Sequence, residues 1–143
     1  MHRAVAICKQ IGGKLFEPKS ATEMAAALNL VKKNRGSHFW IGLHDKTREG
    51  HFTYGNGRSI SYTNWATSEP NNYGRGEDCV EAYASYQPGK WNDRACSANR
   101  AFVCERLSKC KAKGNFFTIV DNFSNRYWKL MIFLKAKLSL LLC

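Results

Sequence analysis

Apolar residues recur at helical spacing in two segments near the start of the chain. In residues 3–12 they lie three or four positions apart, and Gly12-Gly13 directly after them predicts the end of a first helix. Ser20-Ala21-Thr22-Glu23 is a capping-box sequence, and the apolar positions that follow it predict a second helix to about Lys33, ended by Gly36. Both predicted helices precede every predicted strand.

Short apolar or alternating runs, separated by turn residues, predict strands after the second helix. Two of these runs flank Gly55-Asn56-Gly57, a sequence typical of a hairpin turn. The predicted strands lie at residues 39–43, 52–54, 60–62, 80–86 and 101–105. Helices followed by short strands indicate an α+β fold, and 143 residues with 44% hydrophobic content suffice for one domain with one sizeable core.

Residues 63–78 separate the predicted hairpin from the next strand and show little hydrophobic periodicity. A segment of this length without regular structure in a compact domain is usually functional or disordered. With Asn92 and Asp93 it offers carboxylate and amide oxygens and no His or clustered Cys, which suits Ca²⁺ rather than zinc. Each of these residues alone is an ordinary loop residue, but Pro70 locked between Glu69 and Asn71 favours a calcium site.

The charge of the chain is unevenly distributed. It has 22 Lys and Arg residues against 11 Asp and Glu residues, a formal net charge of +11. Seven of the basic residues and one of the acidic residues lie in residues 107–143, so this tail supplies +6 and residues 1–106 only +5. The charge is therefore largely a property of the tail. A charged content of 23% and an aromatic content of 13% exclude disorder, collagen and coiled coil for the bulk of the chain.

No apolar run reaches the roughly 18 residues that are needed to cross a bilayer. Met1-His2-Arg3-Ala4 leads directly into the first predicted helix, so we expect no signal peptide in this chain.

Six cysteines lie at positions 8, 79, 96, 104, 110 and 143, and none forms a CxxC pair. This spacing argues against thioredoxin-like redox chemistry and against ribbon-type zinc sites. The spacing does not decide between free thiols in a reducing compartment and disulfides in an oxidising one. If disulfides form, six cysteines allow fifteen pairings, and the spacing selects none of them.

Five sequence blocks resemble the C-type lectin-like domain, in family order and at family spacing, over about residues 3–106. The blocks are Trp40-Ile41-Gly42-Leu43, Glu69-Pro70-Asn71, Glu77-Asp78-Cys79, Trp91-Asn92-Asp93 and Phe102-Val103-Cys104-Glu105. They are most similar to mannose-type carbohydrate-recognition domains, as in mannose-binding protein and the mannose receptor. The resemblance implies a C-type lectin fold with two helices, small antiparallel sheets and a long calcium-binding loop. It also implies the disulfides Cys8–Cys104 and Cys79–Cys96.

The resemblance implies a calcium-dependent sugar site, with Pro70 in the cis form. The primary ion is expected to be held by Glu69, Asn71, Glu77, Asn92 and Asp93, of which the last gives both its side chain and its backbone carbonyl. An auxiliary ion is expected at Asp45, Glu49, Asn72, Glu77 and Asp78. Some family members have Asp at the position of Asn72, so we expect weaker binding of the auxiliary ion here.

The order of acid and amide in the site implies which sugar fits. Two vicinal hydroxyls each give one lone pair to the calcium, donate a proton to Glu69 or Glu77, and accept from the NH₂ group of Asn71 or Asn92. A carboxylate can only accept and an amide can donate, so the order selects the hydroxyl geometry. In the family, Glu-Pro-Asn accompanies mannose, N-acetylglucosamine, glucose and fucose, and Gln-Pro-Asp accompanies galactose.

The function implied by the resemblance is that of a calcium-dependent lectin for mannose-type glycans, acting in glycan or pathogen recognition and innate immunity, and not that of an enzyme. Family and cysteine pattern imply a secreted protein or an ectodomain. Affinity for one sugar is expected to be about millimolar, near −4 kcal/mol, so useful binding needs several copies. This sequence contains no collagenous stalk or heptad seam that would supply them.

We predict residues 1–106 as the carbohydrate-recognition domain, truncated at its amino end, because family domains begin with a strand ahead of the first helix. The strand at 101–105 would then present an unpaired edge. Residues 107–143, which include Cys110 and Cys143, have no family counterpart. We interpret this tail as the result of truncation, alternative splicing or translated non-exonic sequence, with disorder left open. The competing interpretation is an amphipathic membrane-surface or interaction segment, but we expect no membrane contact.

Three other functional classes remain as alternatives. Acids of the long loop could serve a glycosidase, but their alternation with amides suits cation ligation better. Lys, Arg and aromatic residues at 126–137 could form a nucleic-acid module, although we expect no nucleic-acid partner. The third alternative is a C-type-lectin-like module that binds a protein partner without sugar. The complete primary ligand set argues against it.

Overall fold

The computed structural model describes residues 1–33, 37–74 and 76–106 and the backbone of residues 116–120. The elements in chain order are α1 (His2–Gln10), β1 (Lys14–Leu15), α2 (Ala21–Lys33), β2 (His38–His44), β3 (Thr53–Tyr54), β4 (Cys79–Tyr83), β5 (Trp91–Arg94), β6 (Ala101–Arg106) and β7 (Phe116–Val120). The α+β prediction is confirmed. The strands form one sheet in the order β1-β6-β2-β4-β5, with β3 beside β2 and β7 beside β6.

The two helices cover opposite faces of this sheet. Along β2 the side chains alternate, and Phe39 and Ile41 pack in a cluster with the buried face of α2, whereas Trp40 packs in a second cluster with the buried face of α1. Both faces of the central strand are therefore buried, which explains why residues 39–43 form a continuous apolar run without polar alternation.

The second helix begins where its capping box predicts. The Glu23 N–H donates to Ser20 Oγ at 3.2 Å, and the Glu23 carboxylate accepts from the Lys19 N–H at 2.9 Å. These bonds satisfy backbone groups that the first turn of a helix leaves unpaired. The helix ends at Lys33 in the structure, and Gly36 lies outside the described residues.

Gly42 allows β1 to approach the centre of the sheet. Its N–H donates to the Phe16 carbonyl at 2.7 Å, and a Cβ atom at this position would lie 2.9 Å from the Leu15 carbonyl oxygen. A side chain here would push the two backbones apart, so the glycine of the Trp40-Ile41-Gly42-Leu43 block is explained by packing.

The predicted hairpin forms only in part. β3 pairs with β2, and its return partner is a single bridge from Thr53 to Ser59. Residues 60–62, which were predicted as a strand, continue without ladder pairing. Instead, the Tyr62 ring packs edge-on against Trp91 at 5.4 Å between ring centroids. Contacts of its side chains hold this segment against the core in place of backbone hydrogen bonds.

The prediction that the strand at 101–105 has an unpaired edge was wrong. On one side, β6 pairs with β1 in antiparallel orientation and with β2 in parallel orientation. On the other side, β7 pairs antiparallel with β6, from Phe102↔Val120 to Arg106↔Phe116. A strand from the predicted tail therefore covers this edge. The remaining positions of 107–143 lie outside the described residues, and with them Cys110 and Cys143.

Two disulfides join distant parts of the fold. Cys8 of α1 is bonded to Cys104 of β6, and Cys79 at the start of β4 is bonded to Cys96 just after β5. These are the pairings that the family resemblance implies. Within the described part of the chain, no helix has the length and apolarity required to cross a membrane.

Candidate metal centre and ligand site

The first half of the long loop is attached to β5. The Trp91 N–H donates to the Asn64 carbonyl at 2.9 Å, and the Ala66 N–H donates to the Trp91 carbonyl at 2.9 Å. The rings of Trp65 and Trp91 pack edge-on at 5.6 Å. Because this part of the loop lies alongside the start of β5, the acidic segment that comes next in the sequence is brought close to residues 92 and 93.

Asp93 organises the centre of the site. Its side chain is 1% exposed, and its carboxylate accepts the backbone N–H of Asn71 at 3.1 Å and that of Asn72 at 2.8 Å. β5 supplies Asp93 and the long loop supplies the two N–H donors, so this one carboxylate ties the loop to the sheet.

Glu69 and Asn71 flank a cis peptide bond at Pro70. The Asn71 amide donates through Nδ2 to Glu69 Oε1 at 3.0 Å. The other carboxylate oxygen, Glu69 Oε2, is buried and has no hydrogen-bond partner among the described residues. An unpaired buried carboxylate oxygen is costly, and a cation is the partner that would compensate it.

Glu77, near the end of the long loop, is buried and 5% exposed. Its Oε2 accepts the Tyr73 N–H at 3.2 Å, and its Oε1 lies 3.5 Å from Arg94 Nη1. Its own N–H donates to Asn72 Oδ1 at 2.7 Å. The loop between residues 72 and 77 is thus closed by its own side chains.

Asn92 is 7% exposed and lies opposite Glu81 in the β4–β5 ladder. It donates through Nδ2 to Glu81 Oε1 at 3.2 Å, and Arg100 Nε donates to the other oxygen of the same carboxylate. Glu81 and Arg100 were not among the sequence-predicted site residues. The signal was a single acidic residue inside an otherwise apolar strand, which can be interpreted only when its neighbours are known.

Burial and neighbouring carboxylates raise the pKa values of Glu69 and Glu77. Burial, the close approach of the Asp93 carboxylate and the negative charge of Glu77 raise the pKa of Glu69 to about 7. Burial, with the charge of Asp93, also raises the pKa of Glu77. Both shifts mean that the site favours a compensating positive charge, either a proton or a metal cation.

The donor set fits calcium. Residues 1–33, 37–74 and 76–106 contain no three His, Cys, Asp or Glu side chains that are gathered to hold a metal by themselves. The primary set instead mixes three carboxylates with two amides, all hard oxygen donors, and includes the unpaired oxygen of Glu69. In the structure Glu69 and Asn71 lie beside Asp93, Glu77 lies beside Arg94, and Asn92 precedes Asp93 in β5.

The predicted auxiliary set is also brought together in part. Asp45 is 3% exposed, accepts the Gly50 N–H at Oδ2 at 2.8 Å, and has an unpaired buried Oδ1 among the described residues. Partial desolvation and the nearby charges of Asp45 and Asp78 raise the pKa of the exposed Glu49. Asn72 has its oxygen bonded to the Glu77 N–H, so it is already engaged within the loop.

The fold is that of the C-type lectin domain family, and the chain belongs to this family. The family's sequence model, described as the Lectin C-type domain, matches residues 1–106. The family consists in general of carbohydrate-binding modules without enzymatic activity.

Known relatives and solved structures agree with this assignment. Pulmonary surfactant-associated protein D of Bos taurus is 41% identical over 99 residues, 69% of this chain and 26% of that protein. The low affinity immunoglobulin epsilon Fc receptor of Mus musculus is 39% identical over 105 residues, 73% of this chain and 30% of the receptor. The chain therefore spans less than a third of the length of either relative.

Among solved structures, the carbohydrate-recognition domain of cow CD23, determined in the presence of GlcNAc2Man3 oligosaccharide, superimposes with a TM-score of 0.66. It is 35% identical in sequence, and the match covers 76% of this chain and 81% of that one.

Proposed function

We propose that this domain binds sugars of the mannose, N-acetylglucosamine and fucose type in a calcium-dependent manner and acts as a lectin in glycan or pathogen recognition. The observation that carries the proposal is the buried, unpaired Oε2 of Glu69 in a loop segment that hydrogen bonds hold against Asp93 of β5. Support also comes from cow CD23, a similar domain that was solved in the presence of an oligosaccharide containing mannose.

The residues of the site have separate roles in this proposal. Glu69 and Glu77 accept protons from two vicinal sugar hydroxyls, because an ionised carboxylate has acceptor positions only. Asn71 and Asn92 each have two N–H groups, of which one is bonded to a neighbouring carboxylate in the structure. The second N–H of each amide is available to a hydroxyl oxygen.

Calcium, when bound by the five primary residues, would supply a Lewis-acidic centre with coordination positions left for two hydroxyl oxygens. The protein supplies orientation. Asp93 holds the loop backbone by two hydrogen bonds, so that Glu69 and Asn71 remain beside β5. The auxiliary set of Asp45, Glu49, Asn72, Glu77 and Asp78 would hold a second ion, and its members in the long loop would then be fixed by it.

Specificity follows from the acid–amide order Glu69, Pro70, Asn71. A sugar whose two vicinal hydroxyls match this alternation of acceptor and donor is favoured, and we assign the mannose-type geometry on that basis. One such contact area is small and wet, so we expect a dissociation constant of about 1 mM for a monosaccharide. Multivalent display of the domain or its glycan would then raise the avidity. Two disulfides support an extracellular setting.

A mannose column eluted with chelator tests the proposal. We expect the chain to be retained in the presence of calcium and released by the chelator or at pH 4, because protons compete for the ligand carboxylates. Retention that survives both treatments would contradict the role of the ion. A folded protein with no retention on any of mannose, N-acetylglucosamine or fucose resin would favour the alternative module that binds a protein partner without sugar.

Two further assays address the remaining alternatives. A glycosidase would hydrolyse aryl glycosides, and we expect this protein not to do so. A nucleic-acid module in the tail would lose its binding when residues 107–143 are deleted, whereas sugar retention should remain.

A further inference from the structure

Glu81 is a buried acidic residue next to the site that the proposed ligand set does not use. Its side chain is 2% exposed and lies in the middle of β4. Arg100 Nε donates to one carboxylate oxygen, and Asn92 Nδ2 donates to the other at 3.2 Å. Arg100 is itself fixed by a bond from Nη1 to the Asn99 carbonyl at 3.0 Å. Each oxygen of this buried carboxylate therefore has a donor.

We propose that Glu81 is a positioning residue that fixes the orientation of the Asn92 side-chain amide. The inference rests on the proposed function, because it concerns how Asn92 presents its oxygen and its NH₂ group in the sugar site. Glu81 itself touches neither ion nor sugar in this proposal and acts only through Asn92.

The argument depends on what a carboxylate can and cannot do. The oxygen and the NH₂ group of an amide are nearly equal in size, so packing alone does not select between the two flipped orientations of Asn92. An ionised carboxylate accepts hydrogen bonds and never donates, so it requires that the NH₂ group face Glu81. The Asn92 oxygen then points to the opposite side, and the second N–H remains for a ligand.

Arg100 strengthens the preference for this orientation of the Asn92 amide. Its positive charge lies against the buried Glu81 carboxylate and compensates it there. It also occupies Oε2, so that Oε1 is left for Asn92. Since Glu81 and Asn92 are directly opposite in the ladder, their side chains share one face of the sheet and the link is short.

The substitution Glu81→Gln tests this directly. A glutamine has one acceptor oxygen and can serve only one of the two donors. If that oxygen faces Arg100, its NH₂ group faces Asn92 and favours the flipped amide. We expect the affinity for calcium and the affinity for methyl mannoside at saturating calcium each to fall by about tenfold, comparable to the loss of one hydrogen bond to a charged group.

Glu105→Gln is the matched control. Glu105 is also 2% exposed, lies within ion-pair distance of Lys14 and Lys19 at 3.7 and 3.5 Å, and accepts the Glu17 N–H at 3.1 Å. Both variants lose a buried, paired carboxylate, so both melting temperatures should fall. Only E81Q should lose calcium and sugar affinity. Equal binding losses in the two variants, or unchanged binding in E81Q, would overturn the inference.

An NMR measurement separates this inference from the proposed function. In calcium-free wild-type protein, one of the two Asn92 side-chain amide protons should be shifted downfield and should exchange slowly with water, because it is bonded to Glu81. Side-chain amide protons of Asn92 that have the chemical shifts of an unstructured asparagine and exchange rapidly with water would refute the positioning role, whether or not E81Q folds. Failure of the wild type to bind calcium or mannoside would instead refute the proposed function. The NMR result does not depend on that binding and would still test the hydrogen bond between Asn92 and Glu81.

Discussion

At the scale of single residues, the proposed function assigns the sugar preference to Glu69 and Asn71. Exchanging their types in the double variant Glu69→Gln/Asn71→Asp places a donor where the wild type has an acceptor, and the reverse. We expect mannose affinity to fall by about tenfold or more and galactose to become the better competitor, because two hydrogen bonds per sugar are then mismatched. Competition by monosaccharides for binding to a glycan-coated surface measures this.

A control variant carries the same two changes away from the site. Glu23→Gln/Asn56→Asp alters a helix-capping residue and an exposed turn residue, and it should retain the preference for mannose. If the site variant also retains that preference, the acid–amide argument is wrong.

Glu69 should also make the stability of the calcium-free protein dependent on pH. Its pKa is raised from 4.5 to about 7 in the folded protein, so between these values the folded state binds a proton that the unfolded state does not. The resulting contribution to stability is complete below pH 4.5 and is lost as the pH rises through 7. In chelator, Glu69→Gln should therefore show a smaller fall in melting temperature between pH 5 and pH 8 than the wild type.

The two proteins should be compared at the same chelator concentration. A wild type whose pH dependence equals that of Glu69→Gln over this range would contradict the raised pKa.

At the scale of elements, the start of α2 depends on its cap. Ser20→Ala removes the acceptor of the Glu23 N–H, and we expect a loss of about 1 kcal/mol of unfolding free energy. Thermal or urea unfolding monitored by circular dichroism measures this loss. Ser85→Ala, at an exposed loop position, is the control and should change stability by less than about 0.5 kcal/mol.

Removal of β7 should lower the stability of the sheet. Deleting residues 107–143 removes the strand that pairs with β6 from Phe102 to Arg106 and exposes that edge. We expect a lower melting temperature and more aggregation than in a variant that lacks only residues 121–143 and keeps β7. Equal melting temperatures of the two truncated proteins would show that the β6–β7 pairing contributes nothing to stability.

At the scale of the whole molecule, the two disulfides should contribute unequally. Cys8–Cys104 closes a sequence separation of 96 residues and Cys79–Cys96 one of 17. In the chain-entropy model, their removal by paired Cys→Ala substitutions should cost about 4–5 and about 3 kcal/mol, respectively. Unfolding in denaturant measures both values, and a larger loss from the shorter loop would contradict the entropic account.

The sequence alone predicted the parts of this protein that depend on local chemistry. The two helices follow from apolar spacing and a capping box, and β2 follows from an apolar run between turn residues. The family and the oxygen-rich loop were also recognisable, because Glu69-Pro70-Asn71 and Trp91-Asn92-Asp93 are short contiguous motifs. Such signals depend on near neighbours in the chain, so no tertiary information was needed to find them.

Only the tertiary structure decided which distant groups meet. β5 is short and polar, and it is a strand because β4 lies beside it. β7 covers an edge that local pattern left open. Glu81 has a role because β4 and β5 place it opposite Asn92 and beside Arg100. Backbone pairing and the charge of a buried carboxylate are satisfied by whatever the fold brings near, which is why residue types and spacing could not reveal these contacts.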